Sequence, residues 1–511
     1  MSNNKLPIIL VRGFGFFNVE DEKQVPYQGF NDGTVYHQRV GENYIYEGMI
    51  LRFLKDCQYL DATNVVGYYA QKRDLTAGRQ LSDRVQGLEP FMKDHPVVVD
   101  PEMAARFLDP KRTPEERQRS LWVFRYYDLD TRTFEAYGKA LERLIDIVRQ
   151  ITGAPMVNII AHSMGGLIVR HTVQAVLKEK ARLWINKILT LGTPHRGIDF
   201  QVVKKWIVTE AQEELEAFNP DAQGDPRNET GYANFSKHFS LERLLCVIGT
   251  NYRSYTVGPA VVGNRLFSIG REGSWAYNRS DGLVSQKSAY IDGAHRTFVH
   301  KCHGGYDSLV TARESYELTT RFFFGTHRAR LCLTKAEIRK GEDWFGKSEF
   351  YIGVSVKPRN LDFELWHQSK EAENCYGPYS DTALTKLEVE DPIKEKYRGM
   401  GKDGEVVSLM FDLSKSLAGG DIVFRLDLYV GERDTYGIGF SDQEIIKQQF
   451  FLQAKMESDK IIRLVYHPTA AFGAGTQDLG TDPAAWEFTI GGPRTPFEGR
   501  FKVELASWSG T

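Results

Sequence analysis

The sequence predicts an α/β fold, with a mostly parallel central sheet covered by helices on both faces, joined to a C-terminal antiparallel β-sandwich. Three observations predict it. Short apolar runs such as residues 156–161, continuous but for Asn158, alternate with helical patterns, as strands buried on both faces of a parallel sheet do. Before that run lies a long amphipathic stripe, in which Phe134, Tyr137, Leu141, Leu144, Ile145 and Val148 recur at helical spacing. From about residue 329 the rhythm changes to period two: Ile422, Phe424, Leu426, Leu428 and Val430 alternate with Val423, Arg425, Asp427 and Tyr429. At 511 residues the chain is too long for one average domain. We expect an α/β domain over 1–328, with an insertion near 70–118 and a cap or lid near 198–240, and a sandwich over 329–511 that binds lipid or a partner.

Composition narrows the class. With 41% hydrophobic and 26% charged residues the chain reads as an ordinary globular protein. A net charge of −2 supplies no electrostatic reason to expect nucleic acid as a partner. No apolar run approaches the ~20 residues of a membrane helix. The first residues, MSNNK, lead directly into Pro7–Val11, which leaves no room for a signal peptide, so a cytoplasmic location is expected. Five scattered cysteines (Cys57, Cys246, Cys302, Cys332 and Cys375) suggest free thiols rather than a disulfide framework.

Taken in order, PIILVR (7–12) is a buried strand that runs into the glycine-aromatic loop Gly13-Phe-Gly15. Tyr27, Phe30, Tyr36, Tyr44 and Tyr46 either line an apolar pocket or form core under a long loop. Residues 44–54 read as a helix, 64–69 as a second strand, 101–108 as a short helix and 121–127 as a further strand. The amphipathic helix that follows has Thr133 to cap its start and Gly153 to end it. The strand 156–161 then leads into Ala161-His-Ser163-Met-Gly-Gly166 and a helix over 166–180, completing a βαβ unit. Strands are expected at 184–191, 244–248 and 265–269, and a helix over 306–323 closes the domain. In the sandwich, strands are expected at 350–356, 406–413, 421–430, 461–466, 486–490 and 500–505.

The chemistry centres on Ser163. Small neighbours at Ala161, Gly165 and Gly166 suit a strained strand-to-helix turn that lifts a hydroxyl above the sheet edge, at the N-terminus of the next helix. A serine hydroxyl is a weak nucleophile and needs a base within hydrogen-bond reach, which in turn needs an orienting carboxylate. In the order Ser, acid, His, the turn Ser280-Asp281-Gly282 offers Asp281, with Asp292 a weaker candidate. His295, His300 and His303 follow; His303 is favoured for its place in a glycine-rich loop just before the last helix. The spacing of His300, Cys302 and His303 does not resemble a zinc site, so neither a metal nor a cofactor is expected.

Five motifs, PIILVRGFG, VNIIAHSMGGLIVR, LTLGTPHRG, SDGLV and HGGYDSL, resemble those of the α/β-hydrolase lipases and esterases. The branch they resemble includes bacterial triacylglycerol lipases and GPI inositol-deacylase-like enzymes. The resemblance spans roughly residues 5–325 and implies an α/β-hydrolase fold with an eight-stranded sheet. It also implies that Ser163 is the nucleophile, Asp281 the acid, His303 the base, and the N–H groups of Phe14 and Met164 the oxyanion hole. Ala161 replaces the first elbow glycine, and Arg12 stands where the family usually has histidine.

The expected activity is cleavage of esters with an apolar acyl group, so the expected partner is a lipid or other ester substrate. Transient contact with a lipid surface fits the same reading. Acyl transfer on the same triad and phospholipase activity are the alternatives, with a non-catalytic lipid-binding module behind them.

Overall fold

The strand that carries the serine turn is central because both its neighbours pair with it. In the computed structural model the residues described are 5–13, 48–126, 129, 131, 133–197, 219–254, 280–305, 307–339, 348–359, 362–379, 400, 404–411, 421–434, 442–457, 460–469 and 473–508. Within them the chain forms β1 (Ile8–Val11), α1 (Met49–Asp56), β2 (Leu60–Asp61), β3 (Val66–Arg73), β4 (His95–Val99), α2 (Pro101–Phe107) and β5 (Ser120–Phe124). Next come α3 (Phe134–Thr152), β6 (Val157–His162), α4 (Met164–His171), β7 (Ile185–Leu191), β8 (Leu244–Gly249), β9 (His295–Val299) and α5 (Arg313–Phe324).

Among the described residues seven strands form the central sheet, in the order β2-β5-β1-β6-β7-β8-β9, against the eight that the resemblance implies. β6 pairs in parallel with β1 on one side, Val11 opposite Ala161, and with β7 on the other, Ala161 opposite Thr190. Ile159 and Ile160 are fully buried, which is what a strand with helices on both faces requires. Asn158, the one polar residue in the run, has its Oδ1 satisfied by Asn186 Nδ2 at 2.9 Å. Helix α3 forms where the apolar stripe predicts it. The Thr133 hydroxyl accepts from Ala136 N at 3.2 Å, and Gly153 closes the helix at φ 69°. Its buried face presents Leu141, Leu144, Ile145 and Val148 to the core.

Several boundaries differ from the sequence reading. The strand expected at 64–69 is β3, which lies outside the central sheet and pairs antiparallel with β4 instead. A short apolar run does not say which sheet will take it. The helix expected over 166–180 is α-helical only to His171 and continues as a π-helical turn, Thr172–Leu177. The last helix starts at Arg313, because residues 308–312 are held in turns by Ser308 and Thr311. The expected strand 265–269, the aromatic group from Tyr27 to Tyr46, Phe14 and residues 198–218 of the expected cap lie outside the described residues.

The chain divides into two compact units, one covering Met1–Arg296 and Lys301–Thr319, the other Thr297–His300 and Thr320–Ser509. In the second unit β10 (His327–Ile338), β11 (Ser348–Pro358), β12 (Tyr376–Tyr379), β13 (Glu405–Phe411) and β14 (Ile422–Asp434) are followed by β15 (Asp442–Glu457), β16 (Lys460–His467), β17 (Gln477–Asp478), β18 (Glu487–Gly491) and β19 (Phe497–Ser507). They form a four-stranded sheet, β13-β10-β19-β18, and a six-stranded sheet, β12-β11-β14-β15-β16-β17. The strand pairings in both sheets are antiparallel, giving a sandwich-like region. Phe488 of the smaller sheet stacks on Tyr466 of the larger one, centroids 4.5 Å apart.

Candidate active site

At the C-terminal edge of the central sheet, β6 ends and the chain must reverse into α4 within one residue. Ser163 makes that turn at φ 53° and ψ −127°, a region costly for a residue with a side chain. Its N–H donates to Leu191 O at 2.9 Å, and Gly166 N donates to Ser163 O at 3.0 Å, so the strained residue is tied on both sides. The turn also needs glycine at 165, where a Cβ would collide with the carbonyl oxygens of Val11 and Arg12.

Three side chains converge here from distant parts of the sequence. The Ser163 hydroxyl lies 2.9 Å from His303 Nε2, and His303 Nδ1 lies 2.8 Å from Asp281 Oδ2. All three are buried, with Ser163 8%, His303 3% and Asp281 1% exposed, so water competes little for these bonds. With the carboxylate on the Nδ1 side, Nδ1 carries the proton and Nε2 accepts from the serine hydroxyl. The other oxygen of Asp281 is also occupied, accepting from Leu283 N at 3.0 Å and Val284 N at 2.8 Å. The His303 N–H donates to the Asp281 carbonyl at 2.9 Å, so the two loops are joined through backbone as well as side chains. This arrangement can take a proton from the serine hydroxyl and stabilise the imidazolium that results.

The remaining sequence candidates are placed elsewhere. The Asp292 side chain is 69% exposed and paired with Arg196. His295 Nε2 lies 3.0 Å from Glu242 Oε2. The His300 ring faces that of His367, with centroids 5.4 Å apart. Among the described residues no cluster of His, Cys, Asp and Glu could hold a metal ion. Met164 opens α4 directly after Ser163, and the first N–H groups of a helix have no acceptor within it. Phe14 lies outside the described residues, but the loop before it is fixed: the Tyr126 hydroxyl donates to Gly13 O at 2.7 Å.

Sequence reasoning missed the clearance around the acid. Gly192 ends β7 at φ 55°, and a Cβ there would lie 2.7 Å from Asp281 Oδ2 and 3.1 Å from His303 Nδ1. A Cβ on Gly249, at the end of β8, would lie 2.6 Å from Asp281 Cβ. The available signal was a glycine immediately after each of two buried strands. Arg170 was also missed. It is buried on α4 and donates to the backbone of His195, to Thr230 O at 2.6 Å and to Gln223 Oε1 at 2.7 Å. Gln174 adds bonds to Glu229 O at 2.7 Å and Gly231 O at 3.0 Å, so the described part of the expected cap is held against the helix that follows Ser163.

The parallel sheet with its serine turn at the C-terminal edge is an α/β-hydrolase-like fold. Residues 109–248 match the model of the PGAP1-like alpha/beta domain, a stretch that runs from the end of α2 through β8 and contains Ser163. No curated protein matches the chain. Solved structures similar to it include a gene product of Listeria innocua, 12% identical, covering 62% of this chain and 93% of that one, TM-score 0.28. A candidate cell surface hydrolase from Lactobacillus plantarum WCFS1 is 12% identical, with coverages of 62% and 89% and TM-score 0.30. Phospholipase PlaB from Legionella pneumophila, solved with thio-NAD, is 11% identical, with coverages of 87% and 94% and TM-score 0.32. Among the described residues no helix is long and apolar enough to cross a membrane.

Proposed function

We propose that the protein is a serine carboxylester hydrolase of the lipase and esterase kind, acting on esters with an apolar acyl group. The observation that carries this is the unbroken chain of buried hydrogen bonds from Ser163 through His303 to Asp281. Ser163 Oγ attacks the ester carbonyl while His303 Nε2 takes its proton, and the C–O bond to the alcohol breaks as His303 returns that proton to the leaving oxygen. Water, activated by the same imidazole, then releases the acid from the acyl-enzyme. Asp281 holds the imidazole in its Nδ1–H tautomer and offsets its positive charge. Met164 N–H, at the start of α4, and Phe14 N–H are assigned to the oxyanion on the strength of the motif resemblance.

A series of p-nitrophenyl esters of increasing acyl length, assayed with wild type and Ser163→Ala, tests this. Wild type is expected to hydrolyse the series and the variant to lose on the order of 10⁶ in kcat. Equal turnover by both would overturn the proposal.

A further inference from the structure

His162, inside the elbow motif, is a residue the reaction above leaves unused, yet it touches the base. Its Nε2 lies 2.8 Å from the main-chain carbonyl oxygen of His303, across 141 residues of sequence. A carbonyl oxygen only accepts, so Nε2 carries the hydrogen and donates it. The two imidazole rings pack with centroids 4.8 Å apart at 41°. Burial holds the His162 ring well below the ordinary imidazole value, and the neighbouring His303 and Arg12 push the same way. The ring is therefore neutral, and its other nitrogen, Nδ1, is a bare acceptor. That nitrogen faces the loop after β1, where a Cβ on Gly13 would lie 2.9 Å from it. One side chain thus sits between the strand end that presents the nucleophile, the loop that presents the base and the loop that precedes Phe14.

We propose that His162 is a positioning residue: its Nε2–H bond to the His303 carbonyl and its ring contact hold the His303 imidazole in register with Ser163 Oγ. The inference rests on the hydrolase reading above. The two ring nitrogens of His303 meet Ser163 and Asp281, its N–H donates to the Asp281 carbonyl at 2.9 Å, and the His162 bond holds its own carbonyl, so the base is gripped through ring and backbone together. A loop carrying a catalytic imidazole must be held to a fraction of an ångström, because misplacement by about 1 Å costs about 10²-fold in rate.

The test compares His162→Phe, which keeps a ring but has no donor, with His162→Gln, whose amide nitrogen restores a donor at similar reach. Both are assayed on p-nitrophenyl butyrate beside wild type and Ser163→Ala, with thermal midpoints recorded. His162→Phe is expected to lose about 10–100-fold in kcat with KM little changed, and His162→Gln to recover to within a few-fold of wild type. Loss in both variants with a lowered thermal midpoint, or wild-type kcat in His162→Phe, would overturn the positioning role. An inactive wild type would instead overturn the hydrolase reading, and the Ser163→Ala control separates the two failures.

Discussion

The two units of the chain place their charged pairs differently, one buried and one along a wetter face. In the first, His303 and Asp281 form a pair whose side chains are 4% and 1% exposed, with the second carboxylate oxygen bonded to two backbone N–H groups. In the second, Arg330 bridges Glu405 at 2.5 Å and Glu504 at 2.6 Å, with side chains 17–35% exposed along the face of β10, β13 and β19. A buried pair is costly to assemble and collapses when one partner is removed, whereas a cross-strand surface pair is screened and adds little. The difference teaches where chemistry can reside. The sandwich has abundant charge and its ion pairs stay wet, while the sheet edge has one dry relay pointed at a strained serine.

Substitutions can break or sharpen that contrast. The largest effect is expected at the relay, where Asp281→Asn leaves the shape intact but supplies the wrong tautomer to His303. Its kcat on p-nitrophenyl butyrate is expected to fall about 10⁴-fold. Next is the clearance beside it. Gly192→Ala puts a methyl 2.7 Å from Asp281 Oδ2 and forces a residue with a side chain to hold φ 55°. We expect about 10²-fold lower kcat, read in the same assay, while circular dichroism still reports a folded chain.

The matching change in the sandwich is Glu405→Ala, which removes the partner of Arg328 and Arg330. It is expected to lower stability by only about 1 kcal/mol in urea unfolding, with ester hydrolysis unchanged. The last effect, seen only in acid and only in stability, is at His95. Val97 N–H donates to its Nδ1 at 3.1 Å. Burial, with Arg143 and Lys72 nearby, pushes its value down from 6.5 to about 4. The unfolded chain therefore binds a proton that the folded chain refuses, so stability falls as pH drops from 6.5 towards 4. His95→Gln should flatten that part of a Tm-against-pH curve.

Much of the sheet and the serine turn was legible because burial writes itself into the sequence as apolar strands and small residues. Val157–His162 and the stripe on α3 are of this kind, whereas Ser163, Asp281 and His303 stand out only by their order in the chain and by motif resemblance. What pairs with what was less legible. β3 reads as a strand of the main sheet, yet β4, three valines after His95-Pro96, takes it. β10 and β15 went unread because their solvent faces carry Arg, Lys and Gln, which blur the alternation. In β15 only Phe450, Leu452 and Ala454 turn inwards as a clean period of two. Gly192 and His162 lay in quoted motifs but act through the third dimension, against residues 89 and 141 positions further along the chain.

The central claim is that Ser163 is an activated nucleophile. Incubating the folded protein with a fluorophosphonate probe and mapping the adduct by peptide mass spectrometry tests this most directly. One stoichiometric adduct is expected, on Ser163, absent from Ser163→Ala and strongly slowed in His303→Ala. No adduct on folded wild type, or an adduct on another serine at the same rate in all three proteins, would contradict it.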